Sequence, residues 1–422
     1  PYRVPHYRAE TVAVHTHCAP SGAFRGFGVP QSAIAQEQLF DELAARLGID
    51  PLEFRILNAL RNGEPTVCGQ VFGQGVGIVA CLEALRPAWA VRRAEASAFN
   101  AEAGRTGSPL RRGVGVAAGW YGCGNTSMAN PSTIRAGVTA DGRVVLHQGA
   151  VDIGQGSNTV ITQIFAEALG VPVGQITRVG GDTDVTPDAG KTSASRQTFV
   201  TGGAAKAAGE ALRRQILSLV NASETARLSL SDGTVRDGAA THTLDLSRLE
   251  PNDEGYVLTA TESYDPPTEP LDENGQGVPY AQYGYAAQLA VVEVDTKIGT
   301  TKVLNIVAAH DVGRAINPLL VEGQVQGGVA QGLGMALMEE FLPGRTENLH
   351  DYLIPTFGDV PPIETLIIEE PDLHGPFGAK GLGEHALIPT APALLNAIRH
   401  PTGVAIRPTP VTPARLPAPL TE

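Results

Sequence analysis

Apolar positions first recur at helical spacing over residues 31–47, where Ile34, Leu39, Leu43 and Leu47 mark one stripe. Asp50-Pro51-Leu52-Glu53 then opens a second helix. Asp50 can accept from free N–H groups, Pro51 suits the first helical position, and Glu53 completes a capping box. Leu52, Ile56, Leu57 and Leu60 form its expected buried face, and Asn62-Gly63 ends it. A polar, arginine-rich stretch around 92–112 reads as a surface segment or linker, and 113–117 as a buried strand. Asp141-Gly142 between 135–139 and 144–147 signals a hairpin, and Lys297-Ile298-Gly299 joins a second between 285–294 and 301–307. Helical stretches follow at 157–169, 199–220 and 319–340, with an insertion of short strands over about 221–255. There is no fixed-period repeat and no alternation of strand and helix. The expected class is therefore α+β, mixed sheets with packed helices.

The helix expected at 319–340 contains Gly323, Gly327, Gly328, Gly332 and Gly334. Each glycine costs an isolated helix about 1 kcal/mol. Such a sequence makes sense where close packing or a ligand requires the missing side chains.

Composition narrows the function classes. With 42% apolar and 18% charged residues the chain is globular material, and a net charge of -13 disfavours nucleic acid or an anionic membrane as partner. No stretch of about 18 uninterrupted apolar residues offers a membrane span. The N-terminal residues carry neither an apolar signal core nor a twin-arginine motif, so a cytoplasmic location is expected. Cys18, Cys68, Cys81 and Cys123 are far apart, which excludes an iron–sulfur cluster or structural zinc in the usual spacing. No His-Glu-x-x-His pattern is present either.

The candidate chemistry lies in glycine-rich segments. Gly378-Ala379-Lys380-Gly381-Leu382-Gly383-Glu384 presents a carboxylate on backbone that can approach a ligand closely, the setting of a general base. Four other segments combine glycine or small residues with polar side chains: 22–28, 152–157, 191–198 and 322–334. Two of them open helices, whose unpaired N–H groups suit a phosphate or oxyanion. Gln155, Gln197, Gln324 and Gln331 add amides suited to a polar heterocycle. Rossmann and P-loop fingerprints are absent.

In order, these segments resemble the molybdenum hydroxylase family of xanthine dehydrogenases and aldehyde oxidoreductases. The matching motifs are Ala23-Phe24-Arg25-Gly26-Phe27-Gly28-Val29-Pro30-Gln31, Gly154-Gln155-Gly156, the 192–198 run, Asp311-Val312-Gly313-Arg314-Ala315-Ile316-Asn317-Pro318 and Gly375 through Glu384. The resemblance implies a molybdenum held by a pterin dithiolene, with no side chain ligating the metal directly. Molybdopterin cytosine dinucleotide is the expected form. Glu384 matches the base that takes a proton from the metal's hydroxide ligand as oxygen attacks an electron-poor sp² carbon and hydride leaves. Water supplies the oxygen. Arg25, Gly154, Gln155, Gly156, Ser193, Ala194, Ser195, Gln197 and Gln324 match cofactor contacts. Phe27 matches an aromatic that touches substrate, and Cys123, Asn125 and Met128 belong to the facing loop. That loop lacks the phenylalanine of the purine enzymes.

The resemblance further implies the C-terminal part of a first molybdopterin-binding domain over 1–90 and a second such domain over 91–422. The family's earlier half is missing, so a second chain is expected to supply it. Pro1 fits removal of an initiator methionine from a separate gene product, with a processed fragment as the alternative. Two-iron two-sulfur clusters and FAD are expected on partner chains. The implied substrate is a small N-heteroaromatic, purine or nicotinate-like, with aldehydes as the alternative and a non-catalytic assembly subunit as the second.

Overall fold

The computed structural model describes residues 1–404 and 406–416. In chain order come α1 (Val29–Leu47), α2 (Pro51–Asn58), α3 (Ile78–Thr106), β1 (Leu110–Gly122), β2 (Ser132–Thr139), β3 (Val144–Gln148), α4 (Ser157–Leu169) and β4 (Ile176–Val179). A π turn (Gln197–Thr201) leads into α5 (Gly202–Leu219), followed by β5 (Arg227–Ser229), β6 (Thr234–Asp237), β7 (Ala240–Thr243), β8 (Tyr256–Tyr264), β9 (Tyr283–Asp295) and β10 (Thr300–Asp311). Last come α6 (Pro318–Leu337), β11 (Ile363–Ile368) and α7 (Thr390–Thr402). Strands and helices mix as α+β, in agreement with the sequence reading.

The larger four-stranded sheet runs β1-β9-β10-β11, antiparallel except for the parallel β10–β11 pair. Alternate residues of its strands serve two cores, as the period-2 pleat requires. Val114, Val116, Ala118, Ala287 and Leu289 meet α3 on one face; Ala117, Ala290, Val292 and Ala308 meet α6 and α7 on the other. The approach of α7 to β1 is very close. A Cβ on Gly113 or Gly115 would run into the backbone of Ala397, which explains two glycines in a buried strand. The second sheet, β4-β3-β2-β8, carries α4 and α5 over one core. Both expected hairpins form, turning at Gly142 (φ 80°) and Gly299 (φ 73°). The 221–255 insertion is the β5-β6-β7 meander.

Several expectations change. Residues 92–106 are not a linker but the second half of the 29-residue helix α3. Its alanines and arginines are strong helix formers. Ala96 and Ala103 face inward, while Arg112 stacks over Phe99 at 4.0 Å. The boundary placed between 90 and 91 therefore lies inside a continuous helix. Asp50 caps α2 as expected, accepting from Leu52 and Glu53 N–H at 2.9 and 3.3 Å, but Glu53 pairs with Arg86 of α3 instead of closing a box. Leu52, Ile56 and Leu60 are buried, whereas Leu57 points outward at 63% exposure. On α1 the inward residues are Ala33, Glu37 and Ala44, and Leu39, Leu43 and Leu47 are exposed.

Glu37 binds the N-terminal elements to the sheet. It accepts from Tyr2 Oη at 2.8 Å, Arg55 Nε at 2.7 Å and the Ala118 N–H at 2.9 Å, all in the interior. Burial works to lower the Arg55 pKa, but Glu37, Tyr2 and Asp41 together outweigh it and the guanidinium is held above its usual value.

Substituting Gly115 by valine forces a side chain into the α7 backbone and should destabilise the fold by about 1–3 kcal/mol. By contrast, Gly104→Ala on the open surface of α3 should stabilise by about 0.5–1 kcal/mol. Chemical denaturation midpoints moving down and up, respectively, check both.

Candidate active site

Three segments far apart in sequence converge on Glu384. The first is the tight turn before α1, where Gly26 (φ 90°), Phe27 (φ 48°) and Gly28 (φ 87°) are all left-handed and the Phe27 N–H closes on Phe24 O at 2.8 Å. A Cβ at Gly26 would strike the Pro30 ring. This turn aims the Gly26 N–H at Glu384 Oε2. The second, around Ala194 (φ 53°) and Ser195 (φ 56°), donates the Ala194 N–H to Glu384 Oε1 at 2.9 Å. Ser195 Oγ in turn accepts from the Glu384 N–H at 2.9 Å. The third is the 381–384 loop, where a side chain on Gly381 would collide with Ser195 O. Non-glycine residues at positive φ are costly, and their concentration here marks a site that the surroundings over-determine.

Glu384 is 8% exposed. Burial pushes its pKa up, opposed by the Gly26 N–H, the Arg25 charge and the Ala194 N–H. A buried carboxylate with a raised pKa in a cleft is suited to taking up and releasing a proton.

Arg25 stands beside it. Its guanidinium donates to Gly383 O, to Gln331 Oε1 at 2.9 Å and to Gln324 Oε1 at 3.0 Å, so it bridges the Glu384 loop to α6. Burial draws its pKa down while Glu384 opposes. The glycines of α6 acquire their reason here. Gly327 faces the Arg25 guanidinium, Gly328 abuts Ala386 and Gly332 abuts Thr390. Gln331, noted in the sequence only as an available amide, is a direct Arg25 partner.

These groups line a cleft of about 720 Å³, together with Phe27, Gly154, Gln155, Ser193, Gln197 and Gln324. The turn before α4 is organised by Asp152, which the sequence reading did not single out. It accepts from Gly154 and Gly156 N–H at 2.9 and 3.2 Å and from Asn158 N–H at 3.0 Å. Burial works against ionisation, but these donors prevail and hold the Asp152 pKa below its usual value. The Gln155 amide turns back on its own loop, accepting from Ile153 N–H at 2.6 Å and donating to Ser157 Oγ at 3.1 Å. The Gln197 amide also serves the loop, through Lys191 O and Thr192 Oγ1 at 3.3 and 3.2 Å. Beyond Gly154 the space is open, and the N-termini of α4 and α6 both flank the cleft. Backbone N–H groups, hydroxyls, amides and cationic side chains, Arg25 and Arg314 among them, make a cradle that fits an anionic organic group rich in oxygen and nitrogen.

The 122–128 loop departs from expectation. Cys123 is buried against Phe199, Val200 and Ala281, with Sγ 3.5 Å from Gly381 O, and burial pushes its thiol up to about 12. It faces the core because β1 ends there and continues the pleat inward. Asn125 donates to Asn130 Oδ1 at 3.2 Å, and Met128 is 64% exposed. Of the four expected substrate contacts, only Phe27 lines this cleft. Arg196, another residue the motif reading did not weigh, is a buried brace donating to Asn130 Oδ1 at 2.7 Å and Pro131 O at 2.8 Å.

A buried ion pair supports the loop from below. Lys380 Nζ contacts Asp311 and donates to Gly75 O at 2.6 Å. Burial pushes the Asp311 carboxyl up to about 6 even though Lys380 pulls it down. Asp311→Asn keeps an acceptor for the Gly313 N–H but leaves Lys380 unpaired, and should cost about 3–5 kcal/mol. Adding Lys380→Met should return part of that loss, measurable in a double-mutant cycle.

Comparison with known proteins defines the class to which this fold belongs. Residues 83–361 and 1–59 each match a family described as molybdopterin cofactor-binding domain. The chain is 33% identical to the putative xanthine dehydrogenase molybdenum-binding subunit of Escherichia coli, over 97% of this chain and 55% of that protein. It is 32% identical to an aldehyde oxidoreductase of Megalodesulfovibrio gigas, over 98% of this chain and 43% of that protein. Among solved structures, quinoline 2-oxidoreductase from Pseudomonas putida superimposes with a TM-score of 0.81 at 27% identity, covering 94% of this chain and 52% of that one. The chain belongs to the molybdopterin-binding family of xanthine dehydrogenase and aldehyde oxidoreductase catalytic subunits. It spans about half the length of the curated relatives it matches. Among the described residues, no helix is long and apolar enough to cross a membrane.

Proposed function

We propose that this chain is the catalytic molybdenum subunit, or half-subunit, of an oxidoreductase that hydroxylates an electron-poor sp² carbon of an N-heteroaromatic substrate, purine or nicotinate-like, with water as the oxygen source. The observation that carries this reading is the buried Glu384 carboxylate, aligned by one backbone N–H on each oxygen at the cleft. A molybdenum–pterin cofactor, when bound, supplies the two-electron oxidation. Glu384 takes the proton released as oxygen adds to carbon. Its raised pKa brings its basicity nearer to neutral pH than that of an exposed glutamate. Phe27 offers an aromatic face to a flat substrate ring. The cradle of Gly154, Gln155, Gly156, Ser193, Ala194, Ser195, Gln197, Gln324 and Arg25 holds the cofactor, with molybdopterin cytosine dinucleotide as the form proposed. Gln155 and Gln197 act there through their backbone, since their amides are engaged within the loops.

Aldehyde oxidation is the second reading. It is favoured by the similarity to aldehyde oxidoreductases and by a 122–128 loop that brings no second aromatic ring. We also propose partner chains carrying two-iron two-sulfur clusters and FAD. The exposed Leu39, Leu43 and Leu47 on α1 and Leu57 on α2 support a protein surface lying against these helices.

Metal analysis of the purified complex, then turnover of purines, pyridine carboxylates and aldehydes with a dye acceptor, tests the assignment; absence of molybdenum would overturn it. Glu384→Gln should lower kcat about 100- to 10,000-fold with molybdenum retained. In the wild type, activity should fall as pH drops through the Glu384 pKa, which lies above the usual 4.5. That acid limb should vanish from the residual activity of the variant.

A further inference from the structure

Behind Glu384 lies a buried polar cluster that the proposed reaction leaves unused: Gln288 on β9, His310 on β10, and His385, the residue following the base. Gln288 Nε2 donates to Ala386 O at 3.0 Å and lies 3.0 Å from His310 Nε2. Thr390 Oγ1 donates to Gln288 Oε1 at 2.7 Å. These partners fix the amide, because reversing it would set two carbonyl oxygens against each other. His310 Nε2 is therefore the acceptor, and the ring proton of neutral His310 sits on Nδ1. The His385 ring stacks on His310 with centroids 5.4 Å apart and planes 18° apart. It occupies the notch that Gly284 leaves open, since a Cβ there would strike His385 Nδ1.

Three ring nitrogens in this cluster have no partner among the described residues: His310 Nδ1 and both nitrogens of His385. The two rings lie nearly parallel, and neither supplies a hydrogen bond to the other. Protonation does not resolve the problem. Burial and the nearby Arg25 charge bring the His310 pKa down to about 3, and burial, His310, Lys380 and Arg25 hold His385 well below its usual value. The orphaned set is a donor on His310 with a donor and an acceptor on His385. Water, which both donates and accepts, complements that set.

We propose that His310 and His385 bind internal water, and that this hydrated wedge positions the loop carrying the base. The inference rests on the reading of Glu384 as that base. Besides the Arg25 contact to Gly383 O and that of Cys123 to Gly381 O, three ties hold the loop: Gly381 N–H to Gln282 Oε1 at 3.1 Å, Glu384 N–H to Ser195 Oγ at 2.9 Å, and Ala386 O to Gln288. The wedge supports the third tie, two residues past the carboxylate that must stay aligned with Gly26 and Ala194. His310 and His385 are positioning residues.

A high-resolution crystal structure of the purified complex should show ordered water about 2.7–3.2 Å from His310 Nδ1 and a His385 nitrogen. A dry contact there overturns the proposal. His385→Phe keeps the stacked ring but removes both nitrogens, and should lower kcat roughly tenfold with KM and molybdenum content unchanged. His385→Gln, which keeps a donor and an acceptor, should recover most of that loss. Wild-type kcat in the phenylalanine variant overturns the positioning role. If that variant does not accumulate, a kcat in the glutamine variant as low as that of Glu384→Gln overturns it instead. Measuring Glu384→Gln alongside separates the two readings. Turnover retained there defeats the base assignment, whereas turnover lost there with His385→Phe unimpaired defeats only the wedge.

Discussion

A single carboxylate receives backbone N–H groups from residues 358 and 190 positions away along the chain. That constraint shapes much of the architecture around it. Both donors come from turns with left-handed residues, so each turn carries strain that the rest of the fold must hold in place. The two sheets, their helices and the α6 glycines serve as the frame that keeps those turns facing one another. Charge completes the arrangement. Arg25 reaches across to α6, and the Lys380–Asp311 pair braces the loop from the interior.

Local chemistry in the sequence revealed much of the fold. Asp50 with Pro51, the Asp141-Gly142 turn and the glycine at 299 each determine a short piece of backbone, and each is found where its chemistry places it. Residues 92–106 were opaque for a physical reason. An alanine–arginine helix shows little apolar periodicity, because its inward positions are alanines and its long side chains cover the apolar surface beneath. Leu57 misled in the opposite way, since helical spacing identifies a stripe but not what covers it.

Site residues divide along the same line. Glu384, Arg25, Phe27 and Gln324 could be read from motifs, and all four line one cleft. Cys123 could not, because whether β1 turns that side chain outward or inward depends on its register with β9. Arg196 escaped because its work is done on backbone groups that only tertiary structure brings within reach, whereas Asp152 ties N–H groups of its own turn. The glutamines at 155 and 197 show the converse, polar side chains whose apparent availability is consumed locally.

The left-handed backbone of Phe27 has a consequence for how substrate range could diverge on this scaffold. A residue at this φ can be exchanged only within a narrow set. β-Branched side chains are excluded by their own backbone, and Asn, Asp or Gly enter most easily. A library built at position 27 would thus be filtered by conformation before any substrate is offered.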